Sequence, residues 1–122
     1  MSKHLIVHVE LSSKDRFAST QFYHNLFDWE IQQVPEMDYA TFRTANDQPG
    51  GGFNPVNADY PAGTVMVYVA TDDIKESLEK VEKFGGSVVS QPMPIPGVGL
   101  FAYFKDPTGN TLALLQAQDD MQ

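Results

Sequence analysis

The sequence predicts an α+β fold in which one small unit is used twice. Short apolar runs that alternate with period two account for most of the chain, the mark of half-buried strands. Only two segments, near 15–27 and 72–86, carry apolar residues at helical spacing. Each follows one strand and precedes three, so the order βαβββ occurs twice at a spacing of about sixty residues. A duplication of this kind buries one helix per module against a curved sheet. The expected architecture is therefore a single domain over 1–122, with modules at approximately 1–57 and 62–122. Its eight strands form one mixed sheet with a concave cup, and the helices lie on the outer face.

Element by element, Leu5 to Leu11 reads as the first strand, although His8 and Glu10 interrupt its apolar run. Ser12 stands three residues ahead of Asp15, a loose capping box. A helix follows to Phe27, with Ala18, Phe22 and Leu26 at i, i+4, i+8 as its core face. "WEIQQV", "YATFRTA" and "GGFNPV" are three short strands, with Trp29 at the core or its rim, and "NADYPAG" links the modules. In the second module, Val65, Val67 and Val69 alternate with Thr64, Met66 and Tyr68. "DDIKESLEKVEKFGG" is the strongest helix signal, with Ile74, Leu78, Val81 and Phe84 on one face and Gly85–Gly86 as the stop. "SVVSQP", "GLFAYFK" and "TLALLQ" complete the set. "QPMPIPGVGLF" reads as a stiff connection, or a lid at the cup mouth, because its prolines block ladder pairing. "DPTGN" is a hairpin turn in which Gly109 and Asn110 can take positive φ.

Composition narrows the function. The chain has 122 residues, 42% of them hydrophobic, and a formal net charge of −8. Its two arginines, Arg16 and Arg43, cannot build the basic surface that nucleic acid requires. No apolar run approaches the roughly 18–20 residues that span a bilayer, and the N-terminus has no secretory signal pattern. There is no cysteine, hence neither a disulfide nor a thiolate metal site. A cytoplasmic protein, without nucleic-acid or membrane partners, is the expectation. Its acidic surface suits solubility and would tolerate a cationic ligand.

"HVELSSKDRFASTQFYHNLFDWEI" and "GVGLFAYFKDPTGNTLALLQ" resemble the vicinal oxygen chelate superfamily, which includes glyoxalase I, bleomycin-resistance proteins and extradiol dioxygenases. The likeness covers essentially the whole chain. It is strongest to the bacterial group named only as related to lactoylglutathione lyase. The resemblance implies paired βαβββ modules and a metal site with one ligand from the first and last strand of each. His8, fourteen residues before Phe22, falls on the first ligand position. The second should come from "GGGFNPV", which offers no His, Glu or Asp; Asn54 is a poor substitute. The third falls on Thr64 and the fourth on Ala113. With three positions vacated, no metal and no cofactor are expected. The resemblance also implies a homodimer.

Strand parity sends His4, Ile6, His8 and Glu10 into the cup and Val7, Val9 and Leu11 toward the helix. His8 and Glu10 are then either a satisfied polar pair or an acid/base couple, since histidine is suited to proton transfer near neutral pH. His4 and His24 are weaker candidates, His24 lying on a polar helix face. Phe53, Thr64, Met66, Tyr68, Phe101 and Tyr103 are the expected ligand-binding residues, a lining suited to a small organic molecule that is aromatic or cationic. Three functions follow. The first is metal-free binding of such a molecule. The second is a lyase- or isomerase-like proton transfer beside a carbonyl, using His8 and Glu10. In the third, the cup is filled and the protein acts through protein contacts alone. Glyoxalase I activity itself is expected to be absent.

Overall fold

Asp15 and Asp73 start the two helices in the same way. Both have extended backbones, with φ/ψ of −144°/98° and −145°/97°. Each carboxylate accepts from the backbone N–H three residues on, Ala18 and Glu76, at 3.1 Å. Each backbone N–H donates to a hydroxyl two residues back, Ser13 or Thr71, at 3.2 Å. That hydroxyl then meets Ser19 or Ser77 at 2.6 Å. The two sets are separated by 58 positions throughout (Asp15 to Asp73), so the repeat seen in element order is also a repeat in hydrogen bonding. Asp15 is the cap, and Ser13 rather than Ser12 supports it.

The computed structural model describes residues 4–45, 49–58 and 60–118. They fall into two compact units, His8–Met66, and Met1–Val7 with Val67–Gln122. The division crosses the first strand of each module instead of the linker. Within the first unit, Ser12 N–H donates to Thr64 O (3.1 Å); within the second, Ala70 N–H donates to Leu5 O (2.8 Å).

In the first unit, β1 (Ile6–Ser13) is followed by α1 (Arg16–Phe27), β2 (Glu30–Val34), β3 (Tyr39–Arg43) and β4 (Gly50–Pro55). The strand order is β2-β3-β4-β1, with β1 parallel to β4 and the other pairs antiparallel. Of the "DQPGGG" turn, Asp47 and Gln48 lie outside the described residues. The core is aromatic. Trp29 stacks on Phe42 at 4.5 Å and on Tyr23 at 5.3 Å, and Tyr23 stacks on Phe53 at 5.6 Å. Helix α1 turns Thr20 and Tyr23 inward. Ala18, Phe22 and Leu26, expected at the core, face outward, with Phe22 58% and Leu26 56% exposed. The helix carries two apolar stripes, and the one that packs on the sheet is that of Tyr23, which stacks on Trp29 and Phe53.

The second unit holds β5 (Val65–Ala70), α2 (Ile74–Lys83), β6 (Ser87–Val88), β7 (Met93–Ile95), β8 (Gly99–Lys105) and β9 (Thr111–Ala117). Its order is β5-β9-β8-β6, with β7 also on β8. The described residues thus hold nine strands, not eight. The proline-rich segment is a short edge strand whose turn closes through Val98 N–H to Ile95 O, 2.9 Å. Ile74 and Leu78 pack on Ala102 and Leu114. Val81 is half-buried, and Phe84, the last expected core residue of α2, is 72% exposed because the helix ends there.

In the β8–β9 turn, Gly109 takes positive φ and Asn110 does not. Asp106 instead accepts from Asn110 Nδ2 (2.8 Å), Asn110 N–H (3.0 Å) and Thr108 N–H (2.9 Å). The Asn110 side chain, first among these donors, holds the Asp106 carboxyl down from 3.8 to about 2. A lowered carboxylate pKa stabilises the fold above the unfolded value, and that contribution is lost as pH falls through about 2. Asn110→Ala is expected to bring the Asp106 titration back toward 3.8, followed by carboxyl-carbon NMR. A midpoint still near 2 would assign the shift to the backbone donors instead.

Candidate functional site

Leu11 and Phe53 are register partners, and both join the aromatic core beneath α1. Strand alternation therefore puts His8, Glu10, Gly52 and Tyr39 on the opposite face. The ligand-lining role expected for Phe53 is thereby corrected: it is 1% exposed and packs among Tyr23, Phe42 and Ala40. Three consecutive glycines leave no side-chain alternation from which to read its direction.

Tyr39 is the residue that sequence reasoning missed. A 3₁₀ turn, Pro35–Met37, ends at Asp38 in the left-handed conformation (φ 53°), with Asp38 N–H donating to Pro35 O at 3.0 Å. Arg16 holds this turn. Its Nε donates to Gln33 Oε1 at 2.9 Å, and its Nη1 donates to the Asp38 carboxylate. The next residue, Tyr39, is thereby delivered across β4. Its hydroxyl lies over Gly52, where a Cβ would overlap both the phenol oxygen and Cζ.

The phenol joins the two groups that stood out in the first strand. Tyr39 O–H donates to Glu10 Oε2 at 2.9 Å, and His8 Nε2 is 2.8 Å from the same hydroxyl. With the phenol's one proton directed at Glu10, His8 Nε2–H is the donor in the other contact. His8 Nε2 and Glu10 Oε2 are 3.6 Å apart, and their side chains are 27% and 15% exposed. A hydrogen-bonded chain from imidazole through phenol to carboxylate results, on the face away from the helix and still open to solvent. The sequence hint was the glycine run: glycine inside a strand marks a close approach.

In the second unit, Val69, Leu100, Ala102, Phe104 and Leu114 belong to the helix side. Tyr68, Ala113 and Tyr103 then form one register row on the opposite face. Phe101 shares that face, 5.4 Å from Tyr103 in an edge-on arrangement. The expected direction of Tyr68, Phe101 and Tyr103 is the observed one, although Tyr68 is only 5% exposed. The Thr64 hydroxyl donates to Pro61 O at 2.7 Å and closes a turn. The 58-residue repeat makes Met66, not Thr64, the counterpart of His8, and Tyr68 the counterpart of Glu10. Met66 is buried within the first unit's bounds. His24, expected to face solvent, is exposed and donates from Nδ1 to Trp29 O at 2.9 Å, closing the exit of α1.

The Glyoxalase/Bleomycin resistance protein/Dioxygenase superfamily profile matches residues 5–114. The chain belongs to this superfamily. Anthracycline biosynthesis protein DnrV of Streptomyces peucetius is 33% identical over 121 residues, covering 86% of this chain and 44% of that protein. Lactoylglutathione lyase GLX1 of Arabidopsis thaliana is 28% identical over 122 residues, covering 90% and 43%. The chain thus spans less than half the length of these curated relatives. Hypothetical protein BH1468 from Bacillus halodurans C-125 has the same fold, with a TM-score of 0.73 at 11% identity over 96% of both chains.

Across the repeat, Met66, whose thioether is a soft donor, takes the strand position of His8, and Ala113 carries no side-chain donor atom. At Gly52, the register counterpart of Ala113, the Tyr39 phenol fills the room that a side chain would take. Among the described residues, no group of three or more His, Cys, Asp or Glu is placed so that it could hold a metal ion. None of their helices is long and apolar enough to cross a membrane.

Proposed function

We propose that this superfamily member binds a small organic molecule at the His8–Tyr39–Glu10 chain, without a metal ion. The observation that carries the reading is the position of Tyr39, whose hydroxyl bridges His8 and Glu10 over Gly52. A charged acceptor beside a phenol favours a ligand that brings a cationic or hydroxyl donor. The relative named for anthracycline biosynthesis adds a concrete probe class, since an anthracycline amine is both planar and cationic.

The test is fluorescence titration with doxorubicin, together with metal analysis of protein dialysed against nickel, zinc, manganese and iron. Saturable binding is expected, weakened about tenfold in Tyr39→Phe, the scale of one hydrogen bond to a charged group. Metal retained stoichiometrically by the wild type and lost in His8→Ala would overturn the reading.

A second reading is proton transfer beside a carbonyl, favoured by the continuous chain from His8 to Glu10. There His8 and Glu10 would exchange a proton through the phenol. Methylglyoxal with glutathione is expected to give no turnover above the uncatalysed rate. Turnover abolished by His8→Ala would make the second reading the correct one.

A further inference from the structure

Phe84 is an expense that the fold does not explain. It follows α2 at 72% exposure, and its ring carries the Lys83 ammonium at 5.5 Å. Beside it runs a groove of about 340 Å³ within the second unit, walled by Val81, Phe84, Phe104 and Pro107. That volume lies in the range of small-molecule sites, which begins near ~300 Å³. The groove shares no residue with the His8–Tyr39–Glu10 chain.

Its charge is opposite to that of the protein. The chain has a net charge of −8 and six lysines, and three of these, Lys80, Lys83 and Lys105, stand at or beside the groove. Among the described residues no ion pair engages Lys105, and Lys80 meets only Glu76 at 3.2 Å, an exposed helical pair of small worth. Asp106 also borders the groove as a carboxylate, its two oxygens held by Thr108 and Asn110, so the lining carries two ammonium groups against one carboxylate. His4, at the other end, donates from Nδ1 to Ala70 O at 2.9 Å and is fixed in place. Apolar walls with two available ammonium groups at the rim select an amphiphilic anion.

We propose that this groove is a second binding site, for an organic anion with a carboxylate or sulfonate head and an apolar body. The body lies against Val81, Phe104 and Pro107, Phe84 closes over it, and Lys80 and Lys105 pair with the head. Burial of alkyl or aromatic surface supplies the affinity, and the lysines supply the sign selectivity.

Decanoate is the probe, titrated into the whole chain by calorimetry and by amide NMR. One site is expected, with shifts confined to 77–86 and 104–107 and none at His8 or Glu10. Lys80→Glu with Lys105→Glu should weaken binding about tenfold or more, and Phe84→Ser should do so comparably. Both changes fall on exposed side-chain ends, and unchanged NMR dispersion would confirm that the variants are folded. 1-Decanol should bind at least about tenfold more weakly than decanoate. Equal binding of the alcohol, shifts centred elsewhere, or a folded charge-reversed variant that binds as well as the wild type would each overturn the proposal.

Discussion

Phe53→Ala is expected to destabilise the protein by about 3–5 kcal/mol, measured as a fall in the denaturant midpoint. The side chain is 1% exposed and packs against both Tyr23 and Phe42, which in turn hold Trp29. Removing the ring leaves a cavity between α1 and its sheet that these rigid neighbours cannot refill. Phe101→Ala is the matched control, because it removes the same ring from a half-buried place on the face away from α2. Its cost should be roughly half or less, following the smaller area it takes out of water. A lining role for Phe53 would reverse the pattern, with binding lost and stability nearly kept. Equal costs at the two positions would count against the aromatic core described above.

The same two phenylalanines show where the sequence was readable. In "GLFAYFK" alternation is unbroken, so Phe101 and Tyr103 separate cleanly from Leu100, Ala102 and Phe104. In "GGGFNPV" three residues without side chains precede Phe53, and nothing local distinguishes the two faces. Helix α1 was ambiguous for a different reason. Apolar residues at 17, 18, 22, 23, 26 and 27 cover two stripes, and periodicity alone does not choose between them. The helix cap was present in the sequence as Ser13-x-Asp15 with Ser19 and again as Thr71-x-Asp73 with Ser77. Aligning the two would have set Met66, not Thr64, opposite His8. Tyr39 was harder to find, since its position depends on a turn held by Arg16 from another element. Pairing across 22 positions has no local signature.

Gly52→Ala is expected to remove the candidate site while leaving the fold in place, with probe affinity falling roughly ten- to hundredfold. The added methyl would overlap the Tyr39 hydroxyl and Cζ, and the nearest atoms it meets all belong to that one side chain. A phenol end can swing away, whereas a backbone cannot, so the strand should survive and the Tyr39 bridge should not. His8 and Glu10 would then face each other at 3.6 Å without the hydroxyl that orders them. A double variant, Tyr39→Gly with Gly52→Ala, separates the causes. It has no clash, so its stability should exceed that of Gly52→Ala, yet its affinity should stay as low. If the single variant binds as tightly as the wild type, Tyr39 is not part of the site. If the double variant recovers affinity, the phenol is an obstruction, and His8 with Glu10 suffices. The expected pair of results leaves the bridge itself as the binding element, with glycine at 52 as the residue that makes room for it.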